Sequence, residues 1–413
     1  MSARHASRLR TTLAAGVVAA AVVPVWAGPA AAEHLAPCSV SEVPGSEQLA
    51  DTHSKDNPAF DRMHVEQAQE LATGRGVKVA VIDSGVVALP GLARPTSVAV
   101  GGASAATTLS GHGTIVAGLI AGPRGVAPDA EVHDFKVYDS DTADIAQGQR
   151  PVTSAGIVAG IEAVLAAYPR EKFDVVNISL AVPSPDAKLE AAVARLVDLP
   201  LVVVAAAGNA KEEGSDTGAD KGTPGNDADV YPADYPGVLG VSATPPANED
   251  PSTYVVPNAD TDVSAPTLGA ISLNATGQVC DVGEVATSWS TAEVSGILAL
   301  LREEFPRETP RQLVARLEAT TEGAGPIAQG TAHDPWAGAG VVQAYDALTR
   351  ELAPGRQGKI ESTVAETRTD AVAPPAPERI DLFSTPRAIL LWSGLVAGSV
   401  LALAFMLRPL LRR

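Results

Sequence analysis

Three short segments of the sequence carry residue types that together can hydrolyse an acyl bond. Asp83 ends an apolar run, His112 stands between two glycines where another apolar run begins, and Ser288 opens a helix-like segment. A serine hydroxyl becomes a nucleophile when an imidazole takes its proton and a carboxylate orients that imidazole. These residue types predict nucleophilic catalysis if the fold brings the three side chains together.

Asn209 adds a fourth polar group, because it follows the apolar run 203–207 and Gly208. Its side-chain amide could donate to a developing oxyanion, together with the backbone N–H of Ser288. Each residue taken singly has an ordinary alternative. Asp83 and Asn209 fit turns, His112 fits a surface or capping position, and Ser288 fits a helix N-cap.

The elements that must position these residues read as an α/β fold. Five short Val-rich runs predict strands covered on both faces: Val77–Asp83, Ala130–Val137, Asp174–Leu180, Leu201–Ala207 and Val238–Ala243. Helix-like runs include one capped by Thr153 or Ser154, one that starts near Ser288 and stops at Pro306, and one with Thr309 as N-cap. We expect a mainly parallel central sheet with helices on both faces and the functional groups at the carboxyl ends of its strands.

The order Asp83, His112, Asn209, Ser288 along such a chain resembles that of the subtilase, or subtilisin-like, family of serine proteases. The resemblance runs through about residues 77–348 and includes three linking segments: Gly125–Ala130, Tyr231–Pro236 and Val263–Pro266. It implies a serine endopeptidase that needs no metal and no cofactor.

The resemblance also implies a role for each residue. Ser288 would be the nucleophile, His112 the general base and Asp83 its orienting carboxylate, with Asn209 in the oxyanion hole. The substrate cleft would be lined by Ser179, Leu180, Ala181, Val182, Ala207 and Gly208. Since Ala181 and Val182 stand where relatives often carry Gly, we expect a preference for a small residue before the cut.

Both ends of the chain are apolar. Arginines near the N-terminus precede the apolar run 13–26 and then Ala30–Ala32, which predicts a secretory signal peptide cleaved after Ala32; an uncleaved anchor is the alternative. Ala388–Leu407 carries no charge and is followed by arginines, which predicts a membrane-spanning helix with a short cytoplasmic tail. A buried core helix is the alternative. We therefore expect a single-pass type I protein of the cell membrane, with its catalytic domain extracytoplasmic.

These boundaries divide the chain into six parts. They are a signal peptide at 1–32, an N-terminal extension at 33–74, a peptidase domain at 75–352, a Pro-rich spacer at 353–387, the spanning helix at 388–407 and a tail at 408–413. This order, with Cys38 followed by Val43-Pro44-Gly45-Ser46, resembles the mycosins, the subtilases of actinobacterial type VII secretion systems. The resemblance implies protein or peptide substrates and a partner in the secretion membrane complex.

Composition excludes other classes of protein. A net charge of −18 argues against a nucleic-acid partner, because phosphate binding depends on clustered Lys and Arg. Two cysteines are too few for a Cys-based zinc site, but export permits a disulfide, and Cys38 with Cys280 is the one intramolecular pair; two free thiols are the alternative. We expect the acidic loop Lys211–Asp229 to be solvated, since it lacks the regular ligand spacing of a calcium site; calcium binding is the alternative.

Two residues around Ser288 differ from the usual subtilase pattern. Ala286 stands where relatives carry Gly, and an added methyl group there could crowd the site. Ala292 replaces a Pro inside a helix, where Ala is the better former. Two hypotheses follow: an active serine endopeptidase, or a structural cap of the secretion complex with weak or lost activity. An unrelated esterase fits poorly, because no Gly-x-Ser-x-Gly turn surrounds the serine.

Overall fold

The computed structural model describes residues 35–40, 57–89, 91–92, 98–103, 108–140, 142–210, 227–322, 334–360 and 384–408. The predicted signal peptide lies outside the described residues. So do residues 211–226 of the acidic loop and residues 361–383 of the spacer.

A parallel sheet forms the centre of the domain, as the sequence predicted. The strands are β1 Lys78–Asp83, β2 Val98–Ala99, β3 Glu131–Lys136, β4 Val175–Ile178, β5 Val202–Ala206, β6 Val238–Thr244, β7 Thr261–Pro266, β8 Ile271–Leu273 and β9 Val279–Asp281. Seven of them make one sheet in the order β2-β3-β1-β4-β5-β6-β7, with neighbouring strands parallel, while β8 and β9 pair antiparallel. In the sheet, β3 lies on one side of β1 and β4 lies on the other, so the strand order reverses direction at β1. The end of β1 is therefore the switch point at which α/β proteins place their sites.

Nine α-helices occur among the described residues. They are α1 Pro58–Met63, α2 Val65–Gln69, α3 His112–Ile120, α4 Ser154–Glu171, α5 Ala187–Val197, α6 Thr287–Glu304, α7 Pro310–Glu318, α8 Ala344–Thr349 and α9 Ser384–Leu407. Thr153 caps α4 by accepting the N–H of Gly156 at 3.1 Å, and Thr309 with Gln312 forms a capping box on α7.

The core is divided between the two faces of the sheet. On β1, Val79 and Val81 belong to one apolar cluster, whereas Ala80 and Ile82 belong to the other, as the alternation of side chains along a strand requires. The first cluster includes residues of α3 and α6, and the second includes residues of α4 and α5. Helix α6 is buried from Thr287 to Leu301, so its first turn is fixed by packing on several sides.

The N-terminal extension contains two short helices. Residues 58–69 form α1 and α2, and Phe60, Met63 and Val65 are buried in the first apolar cluster. Helices of 6 and 5 residues are too short to show a helical period in the sequence, which explains why they were missed. Nearer the N-terminus, Cys38 and Cys280 form a disulfide, as the sequence predicted.

Helix α9 belongs to a second compact unit, residues 362–413. Within it, Ala388–Leu407 has a mean hydropathy of 2.1, and none of this segment is buried against protein. By length and composition it is suited to crossing a membrane.

Candidate active site

The end of β1 and the start of α3 bring a carboxylate and an imidazole together. Nδ1 of His112 lies 2.8 Å from Oδ1 of Asp83, and the Asp83 side chain is fully buried. The same oxygen accepts the N–H of Ser84 at 2.7 Å. A Cβ at Gly113 would lie 2.7 Å from the carbonyl oxygen of Gly85, so only glycine after His112 allows this close approach.

The N-terminal extension also reaches this corner. The N–H of Gly111, immediately before His112, donates to the carbonyl oxygen of Val40 at 2.8 Å. Two residues before Val40, Cys38 forms the disulfide with Cys280. The extension therefore supports the loop that carries the imidazole.

Helix α6 places its first turn beside His112. Trp289, the residue after Ser288, packs its indole on the imidazole of His112, with ring centroids 4.7 Å apart and planes at 34°. Ser288 is 8% exposed at the second position of the helix, where backbone N–H groups have no partner within the helix. Through Trp289, the first turn of α6 thus contacts the imidazole that is bonded to the buried carboxylate.

Asn209 lies against the same turn. Its Oδ1 accepts the N–H of Thr287 at 2.7 Å and the hydroxyl of Thr287 at 3.0 Å. Among the described residues no acceptor lies within hydrogen-bond distance of Nδ2 of Asn209, so this N–H₂ group remains available as a donor. Such a donor at the start of a helix is suited to a negatively charged oxygen.

Similarity to known proteins identifies the family of this chain. Residues 74–355 match the subtilase family of peptidases, slightly more than the segment that the resemblance in the sequence covered. Mycosin-1 of Mycobacterium tuberculosis is 32% identical over 329 residues, which cover 70% of this chain and 72% of mycosin-1. The chain belongs to the subtilase family. It is a serine endopeptidase related to the mycosins.

Solved structures of mycosins share the fold of this subtilase. One is described as the serine protease MycP1, an essential component of the type VII (ESX-1) secretion system; it is 28% identical, with a TM-score of 0.57, and the match covers 77% of this chain and 94% of MycP1. Another match is to a chain in the periplasmic assembly from the ESX-5 inner membrane complex, at 25% identity and a TM-score of 0.56, covering 78% of this chain and 89% of that one.

Ser179 of this subtilase lies beneath the first turn of α6. Its hydroxyl is 2.8 Å from the carbonyl oxygen of Ser288 and 3.0 Å from Oδ1 of Asn177, and the residue is 3% exposed. Asn177 in turn donates from Nδ2 to the hydroxyl of Ser295 on α6 at 3.1 Å. A buried hydrogen-bonded chain therefore ties β4 to α6 directly below Ser288.

The other residues predicted to line the substrate cleft differ from one another in burial and in backbone contacts. Leu180 is buried and Ala181 is exposed, while the backbone of Val182 pairs with Tyr231 in an antiparallel bridge. Ala207 is buried and donates its N–H to the carbonyl oxygen of Val241. Gly208 has a φ of +108°, and a Cβ there would lie 2.9 Å from side-chain atoms of Val230 and Val256. The preference for a small residue before the cut stays a prediction.

Ala286 does not occupy a position that needs glycine for its backbone. Its φ of −148° and ψ of 141° are extended values that any residue adopts. The backbone at Ala286 therefore has no strain that glycine would relieve, and crowding of the site by its methyl group stays a prediction.

Glu293 is a buried carboxyl group that the sequence interpretation missed. It lies on α6 five residues after Ser288, is fully buried, and neither of its oxygens has a hydrogen-bond partner among the described residues. Burial raises the pKa of Glu293 well above its usual value, because removal from water disfavours the charged carboxylate.

No group of three or more His, Cys, Asp and Glu side chains suited to a metal occurs in the part of the chain that the structure describes. Residues 211–226 of the acidic loop lie outside it.

Proposed function

We propose that this subtilase is a membrane-anchored extracytoplasmic endopeptidase of a type VII secretion system, acting through Asp83, His112 and Ser288. The observation that carries the proposal is the buried hydrogen bond between Asp83 and His112, next to the helix turn that holds Ser288 and packs Trp289 on the imidazole. A fixed tautomer beside a serine at a helix N-terminus is the arrangement that activates a hydroxyl.

In this mechanism Oγ of Ser288 attacks the peptide carbonyl while Nε2 of His112 takes its proton. Nδ1–H of His112 stays bonded to Asp83, which stabilises the imidazolium that forms. The imidazolium then protonates the leaving amine, and an acyl group remains on Ser288. A water molecule, deprotonated by His112, attacks this ester, and the carboxylic acid product leaves as Ser288 regains its proton.

The tetrahedral intermediates place a negative charge on the former carbonyl oxygen. The N–H₂ group of Asn209 and the backbone N–H of Ser288 would bind this oxygen. Thr287 supports the proposal, because its two donors occupy Oδ1 of Asn209 and fix which end of the amide faces the substrate. Prepositioned donors lower the barrier because they need no reorganisation during the reaction.

Helix α9 would hold the domain at the membrane. Its uncharged, fully exposed segment Ala388–Leu407 and the arginines that follow favour a span whose C-terminus is cytoplasmic. A stop codon before Ala388 tests this. Release of the shortened protein into the soluble extracytoplasmic fraction is expected, and continued membrane association would contradict the anchor.

A second role, as a structural part of the secretion complex, is favoured by the match to a chain of the ESX-5 periplasmic assembly. One experiment separates the two roles. Strains carrying the intact protein, Ser288→Ala or a deletion of the gene are compared for the N-termini of exported proteins and for the amount of assembled membrane complex.

If the chain is a protease, Ser288→Ala changes the exported N-termini in the same way as the deletion. If it is also a structural component, the assembled complex persists with Ser288→Ala and is lost in the deletion. Unchanged N-termini in both strains would overturn the proposed processing of exported proteins.

A further inference from the structure

The indole of Trp289 covers one face of the imidazole that the proposed mechanism protonates. The two ring centroids are 4.7 Å apart and the planes are inclined by 34°, so the π surface of the indole lies against the ring of His112. Trp289 is 2% exposed, and little water therefore separates the two rings.

The indole is also held in place from its far edge. Its Nε1–H donates to Oε1 of Glu284 at 3.0 Å, and the backbone carbonyl of Glu284 accepts the hydroxyl of Thr267 at 2.7 Å. Glu284 therefore ties the indole to the segment before α6, while the helix itself fixes the Cα of Trp289. Two attachments leave the ring little freedom to turn away from His112.

A tryptophan face attracts a cation more strongly than any other side-chain ring, and the attraction grows when water is excluded. His112 is neutral when it acts as a base and cationic after it has taken the proton of Ser288. The contact with Trp289 is thus stronger in the state that follows proton transfer than in the state before it. An interaction that is stronger in the transition state accelerates the reaction.

We propose that Trp289 is a positioning residue that stabilises the imidazolium form of His112, with Glu284 holding the indole in register. The inference rests on the proposed function of His112 as the base.

The charged groups around the imidazole set the direction of the effect. On β1, Asp83 faces Nδ1 of His112. On β3, Lys136 is paired with Asp139 at 2.9 Å and is thereby neutralised. On α6, burial raises the pKa of Glu293 well above its usual value, which favours its neutral form. Asp83 and the indole face both favour the cation, so removal of the indole face lowers the pH at which His112 gains its proton.

The test measures inactivation of the full-length protein by an active-site serine phosphonate across pH, in the intact protein and in Trp289→Phe and Trp289→Leu. The acid-side midpoint is expected to move to lower pH by about half a unit to one unit in Trp289→Leu, and by less in Trp289→Phe. The plateau rate is expected to fall about two- to fivefold, because the imidazolium formed in the reaction is less stable.

The direction in which the acid-side midpoint moves distinguishes this role of Trp289 from simple packing. Loss of packing admits water, and water favours the imidazolium, so a merely structural tryptophan would leave the midpoint unchanged or move it to higher pH. Either of those results in both variants would overturn the proposal. Glu284→Gln keeps an acceptor for Nε1–H and should keep the plateau rate, whereas Glu284→Ala should lower it; equal rates in the two variants would overturn the role of Glu284.

A second measurement needs no catalytic turnover. If the phosphonate does not label the chain at all, the proposed function has failed, but this measurement still tests the contact between His112 and Trp289. An imidazolium in contact with an indole quenches its fluorescence. The intact protein should therefore lose emission as pH falls, with an inflection that is absent in both His112→Gln and Trp289→Phe. An inflection that persists in either variant would overturn the inferred contact between the cation and Trp289.

Discussion

Thr287 holds Asn209 by two hydrogen bonds to one atom: its N–H and its hydroxyl lie 2.7 and 3.0 Å from Oδ1. Because the amide oxygen is occupied, the N–H₂ end must face away from Thr287. The orientation that the proposed oxyanion donor requires is therefore present before any substrate binds.

Replacement of Asn209 should act on the chemical step. Asn209→Ala is expected to lower kcat by about 10²–10³-fold with little change in KM, since the lost donor acts on the tetrahedral state. The measurement is steady-state cleavage of a peptide selected by library profiling. Thr287→Val keeps the backbone N–H bond to Oδ1 and removes one donor, so its loss of kcat should be smaller. Equal kcat in Asn209→Ala and the unsubstituted protein would exclude Asn209 from the oxyanion hole.

The hydroxyl of Ser179 supports the turn of Ser288 from below. Ser179→Ala removes the contact to the Ser288 carbonyl oxygen, and a shift of the nucleophile on the order of 1 Å would lower kcat about 10- to 100-fold. Ser242 is a matched control, since it is 1% exposed and its hydroxyl has no hydrogen-bond partner among the described residues. Ser242→Ala should leave kcat unchanged. Identical kinetics of the two variants would contradict the role of Ser179.

A carboxyl pair distant from Ser288 in the sequence makes stability depend on pH. Burial, reinforced by the charge of Asp262, raises the pKa of Glu318 to about 7, and burial raises the pKa of Asp262 to about 6. The folded state then binds more protons than the unfolded chain. Its free energy of unfolding falls as pH rises from the usual carboxyl range toward 7.

Glu318→Gln should remove part of this loss of stability at high pH. We expect a gain in the free energy of unfolding of roughly 1–2 kcal/mol at pH 8, and a smaller gain at pH 5, where Glu318 is already protonated in the folded protein. Urea unfolding at the two pH values measures it. Glu304→Gln, at an exposed position near the end of α6, is the control. A gain in the free energy of unfolding that is larger at pH 5 than at pH 8 would contradict the raised pKa of Glu318.

The disulfide between Cys38 and Cys280 closes a loop with a sequence separation of 242 residues. The double variant Cys38→Ser with Cys280→Ser is expected to lose about 2–4 kcal/mol of stability, through release of the extension from the segment before α6. Thiol titration of denatured, non-reduced protein should find no free thiol. Two free thiols per chain would contradict the bond.

The sequence predicted the strands that are buried on both faces better than the others. The strand β1 begins one residue later than predicted and ends at Asp83 as predicted, because its apolar run is bounded by polar residues. The strand β7, with Thr261, Asp262, Ser264 and Pro266, lacks such a run and was missed. Helix α5 was missed although Leu189, Val193 and Leu196 share one face.

For the site, the order of motifs was the basis for predicting Asp83, His112, Asn209 and Ser288, and their catalytic roles stay predictions. The contacts of Thr287 with Asn209, Ser179 with Ser288, and Trp289 with His112 each join segments far apart in the chain. Neither periodicity nor local spacing encodes such contacts, so they became visible only when the packing of α6 on β4, β5 and α3 was known.

Labelling with an active-site serine phosphonate, read by mass spectrometry of the intact and digested protein, tests the central claim most directly. The account predicts one label per chain on Ser288, none in Ser288→Ala, and full labelling in Ser290→Ala, whose hydroxyl bonds to the carbonyl oxygen of Thr287 within the same helix. His112→Gln should slow the labelling severalfold or more. A label on any other residue, or equal labelling of Ser288→Ala, would contradict the account.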